Sequence, residues 1–554
     1  MVSLNTDDTP TGPIVGARPA APVPPGNNRP GQGPQPGNSL AQRRNAFRDM
    51  AALLLLLLAL VFPWNLYFGL GVPDSSLLWW GLLASVTLLS LLSLVVTRGQ
   101  KDTGASARLR LIINVPYLLL VVGFVGYDVV ESIMSGGTVH VPGGVGPGGW
   151  LGAAGALLAA QPALTTPTIE ETRYERWLRG ARLLGYVSMF GASLSAGFNL
   201  CWRIRYALQN AGGSEAFGTR NTTVILSAVV YGVVALAAVL VASRWILRNT
   251  PASRFAIFAL GVSSLLAGML VWAMPAGREI DAFHGIAQNT STAGVGYEGY
   301  LAWAAAAALF MPLTLFSGPE VYRDREVWRN AIRKGLTLIV VWCFGSALMR
   351  ITDLLVAVML NYPTFPYNSL TLATFDVMTG VLALWLRVRL ASGALRSRLI
   401  TWLGGLVFTL AVSRVILGVV LAPRFEQAAS VSPVYGNDLA QQITSTFDVT
   451  LCGLSLFILG AIIVAAQIRK PRRRRRPVQR PVAGNRPPAP IPTRPVAPPP
   501  PSEARTTQFG APRTQHEAPT TVLSAPGPAP RIFRSSETTG PVRPKIFRPP
   551  NNAS

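Results

Sequence analysis

Charge is what this sequence has least of. Only 13% of its 554 residues are Asp, Glu, Lys or Arg, half are hydrophobic, and the mean hydropathy is +0.36. A water-soluble chain of this length would carry several charged-surfaced domains, and the composition excludes that in favour of a bilayer. Cysteine and histidine are equally sparse. Cys201, Cys343 and Cys452 all fall in apolar stretches, and His140, His284 and His516 lie far apart, so neither a disulfide framework nor a Cys/His metal site is expected. No nucleotide-binding motif occurs, and no cofactor is expected. Lysine is nearly missing: of 49 basic residues only Lys101, Lys334, Lys470 and Lys545 are not arginine. Abundant Arg, Ala, Gly and Pro have GC-rich codons in common, which points to a high-GC bacterial genome and makes the sequons at Asn221 and Asn289 incidental.

What the chain does have is long apolar runs. A hydrocarbon core needs roughly 20 apolar residues of helix. Such windows occur at about 50–69, 77–97, 109–130, 149–166, 183–202, 222–243, 255–274, 300–317, 334–354, 370–388, 399–421 and 443–467. The expected fold is therefore an all-α integral membrane protein of about twelve transmembrane helices. The fourth window is short and rich in Gly and Ala around Trp150, Gly152 and Gly155, so a re-entrant or interfacial segment competes with a crossing there. The run from Ala51 follows a long polar arm and continues into Phe62, Pro63, Trp64 and Asn65 without a small-residue cleavage site. It reads as an anchor rather than a signal peptide.

Arginine supplies an independent test of the count, because basic residues in short loops mark the cytoplasmic side. With the N-terminus inside, every second connection is rich in them: Arg98 to Arg110, Arg173 to Arg182, Arg244 to Arg254, Arg323 to Lys334, and Arg387 to Arg398. The intervening loops hold far fewer, namely Arg203, Arg205 and Arg220 in one and Arg278, Arg350 and Arg424 singly. Both termini are expected in the cytoplasm of a bacterial plasma membrane.

Residues 1–45 and 469–554 are Pro- and Gly-rich, with too little apolar surface to fold alone, and are expected to be disordered around the transmembrane domain at 46–468. From Arg469 onward there are 17 basic and 3 acidic residues, +14 of the chain's +24. The run Arg472, Arg473, Arg474, Arg475 and Arg476 is expected to anchor topology and attract anionic lipid head groups, at about 1 kcal/mol per basic residue near the surface. Nucleic acid is the weaker partner, since no folded recognition element accompanies the arginines. Pro530-Arg531-Ile532-Phe533-Arg534 is echoed by Pro544-Lys545-Ile546-Phe547-Arg548, a pair of units suited to docking a protein partner.

Ionisable residues within spanning helices are costly and mark either packing or function. Arg350, Asp353, Asp376, Arg414 and Asp448 fall in the last four windows, and Asp376, Arg414 and Asp448 share a depth. Thr374-Phe375-Asp376-Val377 repeats as Thr446-Phe447-Asp448-Val449, each after a helix bearing an arginine, which suggests duplicated hairpins. Weaker echoes are Arg278 before Tyr297-Glu298, and Phe190-Gly191-Ala192-Ser193-Leu194 against Phe344-Gly345-Ser346-Ala347-Leu348. These charges either neutralise one another to order the helices or form a polar site for an ion, proton or anionic head group. Pro63, Pro116 and Pro312 are candidate kinks.

Three function classes fit. A transporter or lipid flippase suits the helix number and buried charge, although Thr97 to Arg110 lacks the glycine-aspartate-arginine signature of major facilitator proteins. A non-catalytic envelope scaffold or regulator suits the two tails. A membrane-embedded glycosyltransferase would need outward acidic residues, for which only Asp74, Asp128 and Glu131 offer themselves in the first third of the chain. Finally, Phe47-Arg48-Asp49-Met50-Ala51, leading through a leucine-rich helix to Phe62-Pro63-Trp64-Asn65, resembles the opening of uncharacterised multi-pass membrane proteins of actinobacteria. That resemblance implies a membrane fold but no activity, substrate or cofactor.

Overall fold

The structure is a computed structural model. It describes residues 36–73, 75–96, 103–134, 144–164, 171–211, 218–273, 295–316, 324–361, 366–392, 397–421 and 446–468. Among them the regular structure is entirely helical: α1 Pro36–Val61, α2 Leu77–Val96, α3 Thr103–Met134, α4 Pro147–Ala160, α5 Glu171–Ala211, α6 Thr219–Arg248, α7 Pro251–Trp272, α8 Val295–Leu315, α9 Arg325–Met359, α10 Pro366–Ser392, α11 Ser397–Val420 and α12 Thr446–Gln467. The tail motifs, including Arg472–Arg476, lie outside the described residues. Helix α1 starts at Pro36, ahead of the boundary drawn at residue 45.

Nine of these helices are long and apolar enough to cross a membrane: α2, α3, α5, α6, α7, α9, α10, α11 and α12. The other three depart from the twelve equal windows for visible reasons. Pro63 lacks an amide hydrogen, and α1 stops at Val61, leaving irregular backbone where the first window expected helix to residue 69. Helix α4 has 14 residues, about 21 Å at 1.5 Å per residue, well short of a ~30 Å hydrocarbon core. Helix α8 has a 17-residue apolar core, Gly299–Leu315.

Successive helices run in opposite directions, as their contacts show. Gly155 of α4 meets Leu56 of α1 while Gly148, earlier in α4, meets Phe62. Ser188 of α5 bonds Ser243 of α6, and Gly185 meets Leu247. In α9 and α12, Gly335 lies against Ile458 and Trp342 reaches Asp448. Three groups of four helices result. Helices α1–α4 pack among themselves and meet the rest chiefly through α4 on α8. Helices α5–α8 form the middle. Helices α9–α12 join it through α6 and α7. Leucine, valine and isoleucine cover the outward faces, as at Leu88, Val122, Leu183, Val233, Leu270 and Ile416.

The middle is held by small residues. In lipid no hydrophobic gain drives helices together, so close van der Waals approach has to do it. Helix α8 presents Ala302 and Ala304 to Ala308, all buried, and Gly261 of α7 lies against it. A Cβ at Gly261 would stand 2.4 Å from the Trp303 carbonyl oxygen and 2.5 Å from the Ala307 methyl. At Gly126 of α3 it would meet nothing within 4 Å. Gly261→Ala is therefore expected to cost about 1–3 kcal/mol by overpacking, read as a lower Tm of the detergent-solubilised chain, whereas Gly126→Ala should leave Tm unchanged. Equal Tm values for the two would refute the close α7–α8 contact.

Candidate functional site

The charges expected in the last four helices do converge. Trp342, Ser346 and Arg350 recur at four-residue spacing and so share one face of α9. That face meets Asp376 from α10, Arg414 from α11 and Asp448 from α12. Arg414 is the hub: its Nε pairs with Asp376 Oδ1 and its Nη1 with Asp448 Oδ1. Its Nη2 donates to Ser346 Oγ at 2.7 Å. Ser346 in turn donates to Asp376 Oδ2 at 2.9 Å, and Arg350 Nε reaches the same oxygen at 3.4 Å. The indole of Trp342 donates to Asp448 Oδ1 at 2.7 Å. Asp376 is fully buried, and Arg350, Arg414 and Asp448 are nearly so. Two carboxylates and two guanidiniums thus close into a neutral, desolvated set. Asp353 stands one turn beyond Arg350, partly buried, and accepts the Tyr231 hydroxyl of α6.

The repeated tetrapeptides therefore bring both aspartates onto one arginine, but their surroundings differ. Thr446 and Phe447 are buried, with Phe447 against Trp303 and Trp342. Thr374 is exposed and bonds back to Leu370. Arg278 and the side chains of Tyr297 and Glu298 lie outside what the structure describes. Sequence reading missed Trp342 and Ser346; their spacing from Arg350 was the available signal.

A second buried set, also missed, occupies the opposite end of the α1–α4 group. Arg48 Nη2 and Arg110 Nη1 flank Asp49 Oδ1 at 2.9 and 3.1 Å. Arg48 also donates to the carbonyl of Pro162, just past α4. Asn45 exchanges two bonds with the Leu164 backbone, and Arg44 donates to the Phe316 carbonyl past α8. Gln161 donates to the Ala308 carbonyl inside α8 at 2.9 Å. Asn114 ties Arg110 to Ser93 of α2.

Between that set and the other end of the group the backbone is interrupted twice, side by side. After α1, Pro63, Trp64 and Asn65 are buried in a non-helical turn in which Trp64 N–H donates to Phe68 O at 2.8 Å. At the start of α4, Gly146 and Gly148 donate their N–H groups to the carbonyls of Trp64 and Pro63. Glycine is required here: a Cβ at Gly148 would stand 2.5 Å from both the Phe62 carbonyl and the Trp64 ring. All but one residue of α4 is buried, so it has almost no face for lipid. The break rests on the face of α3 formed by Tyr117, Val121 and Phe124, with Trp64 and Phe124 rings 5.2 Å apart. One turn on, that face carries Asp128, fully buried, with neither carboxylate oxygen hydrogen-bonded. Glu131, three residues on, accepts the Tyr127 hydroxyl at 2.8 Å. Among the described residues no group of three or more His, Cys, Asp or Glu could hold a metal ion.

A family model described as a domain of unknown function, DUF7937, matches residues 45–469, from the foot of α1 to just past α12, and the chain belongs to that family. No curated protein and no solved structure matches the chain.

Losing one partner of a buried ion pair costs about 3–5 kcal/mol, because the remaining charge is left uncompensated. Arg414→Met should thus abolish a monodisperse peak in detergent size-exclusion chromatography. The triple change Arg414→Met, Asp376→Asn, Asp448→Asn should restore most of it, since no lone charge remains. A stable Arg414→Met single variant would contradict the network.

Proposed function

We propose that this DUF7937 member is a transporter or lipid flippase of a bacterial plasma membrane, with its working centre at the double break of α1 and α4. The observation that carries this reading is irregular backbone, Phe62 to Val72 and Gly144 to Gly146, inside a helical bundle and beside a lone carboxylate. Non-helical backbone at membrane depth is tolerated only where protein buries it or where it lines a cavity, and discontinuous helices recur at transporter sites. The closed Arg350–Asp376–Arg414–Asp448 set then belongs to the frame: it is neutral, and each carboxylate faces a guanidinium.

Orientation follows the positive-inside rule. The α1 start, the α12 exit and the arginine-rich connections all fall at one end of the alternating bundle, which we assign to the cytoplasm. The basic run after α12 would then face anionic head groups.

A carrier exposes its centre to both sides in turn, whereas a static scaffold does not. Val121→Cys, placed on the α3 face at the break in a chain whose three native cysteines are replaced by serine or alanine, should react with a membrane-impermeant maleimide in both right-side-out and inverted vesicles. Reaction from neither side would favour a scaffold. A chain ending at Ile468 should keep this labelling, because the tails take no part in it.

A further inference from the structure

We propose that Asp128 is a proton-binding site, a carboxylic acid that takes up and releases its proton as the segment Phe62 to Val72 moves. Every other acidic side chain buried among the described residues faces guanidinium: Asp49 has Arg48 and Arg110, Asp376 has Arg350 and Arg414, and Asp448 has Arg414. Asp128 has none, and neither of its oxygens has a hydrogen-bond partner. The helices packed most closely on α3, α2 and α4, lack any titratable side chain, and α1 meets α3 with its charges at Arg110. The segment Phe62 to Val72 contributes only Tyr67, which is exposed, and on α3 itself the one neighbouring charge is Glu131, of the same sign. Arg110 lies eighteen positions back, about 27 Å along the helix, and is held by Asp49.

An isolated carboxylate out of water costs several kcal/mol, so the group either holds a small cation or gives up its charge. The proton is the occupant that fits. A metal cation would need several oxygen ligands, and Val121 and Phe124, the residues of this face nearest the carboxyl in sequence, have no side-chain oxygen to supply. Release requires water to reach the carboxyl. One turn before Asp128, Phe124 is met by irregular backbone rather than helix, with the rings of Trp64 at 5.2 Å and Phe68 at 6.4 Å. Coupling of this proton to a cargo rests on the transport reading; occupancy of the site does not.

Dicyclohexylcarbodiimide, which reacts with protonated carboxyls in apolar surroundings and leaves a stable acylurea, tests the assignment on the full chain in liposomes. Digestion and mass spectrometry should find the adduct on Asp128, at least about fivefold more at pH 6 than at pH 9, given that protonated carboxyls become scarcer as pH rises. Asp49, Asp376 and Asp448 should stay unmodified, and Asp128→Asn should remove the adduct. The same Asn variant should keep the wild-type Tm, since it breaks no pairing. No adduct on Asp128 at either pH, suppression of the adduct by sodium ions at constant pH, or a collapse in Tm for Asp128→Asn would each overturn the proposal. An adduct on Asp128 together with Val121→Cys labelling from neither side would remove transport and leave the proton site. Labelling from both sides without an adduct would do the reverse.

Discussion

The guanidinium of Arg414 is the group on which the C-terminal half of this molecule depends. A bilayer offers no water to share a buried charge, so each carboxylate in α10 and α12 must find its counter-ion within the bundle. A planar guanidinium with five donors can serve two carboxylates and a hydroxyl at once, which an ammonium on a flexible stem does less well. Arg414 spends three of its nitrogens on Asp376, Asp448 and Ser346, and thereby fixes the rotation of four helices with a single side chain. Such a set adds little net stability compared with apolar packing of the same volume. Its effect is to make every wrong rotation or register of α9–α12 leave a charge bare.

The N-terminal group solves the same problem differently. Asp49 is clamped between two arginines at one end, and the other end holds backbone instead of side-chain charge, with Pro63 and Trp64 carbonyls satisfied by glycine amides. The two halves of the chain thus differ in what they can release. The closed set of α9–α12 is a lock, while the paired breaks of α1 and α4 are held by two backbone hydrogen bonds and by aromatic contacts.

Much of this was legible in the sequence because hydropathy and arginine placement are separate signals that agree. Window positions for α2, α3, α6, α7 and α9–α12 match helices, since a run of twenty apolar residues has few other fates in lipid. The convergence of Asp376, Arg414 and Asp448 followed from equal depth alone. Contacts that depend on rotation about a helix axis were not legible: Trp342 and Ser346 look like ordinary members of an apolar run until the face they share with Arg350 is known. Arg48 and Asp49 stood out only as part of an opening motif, and their pairing depends on Arg110, far away in the chain. The motif Phe47-Arg48-Asp49-Met50-Ala51 and the motif Phe62-Pro63-Trp64-Asn65 turn out to be the two ends of α1. One is its ionic foot and the other its break, which gives a physical reason for both. Asp128 was noticed only as a possible outward acid, because sequence cannot reveal that a carboxyl has no partner.

Helix α4 has a consequence for how the protein is made. With fourteen residues, four glycines and scarcely any face for lipid, it has little tendency to partition into a bilayer by itself when it leaves the ribosome. Its surroundings on one side, α1 and α3, are synthesised before it, but the wall on the other side, α8, comes much later. During that interval the short helix has only half its final environment. Insertion of this segment is therefore tied to assembly rather than preceding it, and the chain should dwell in a state where the α1–α4 group is open on the flank that α8 later closes.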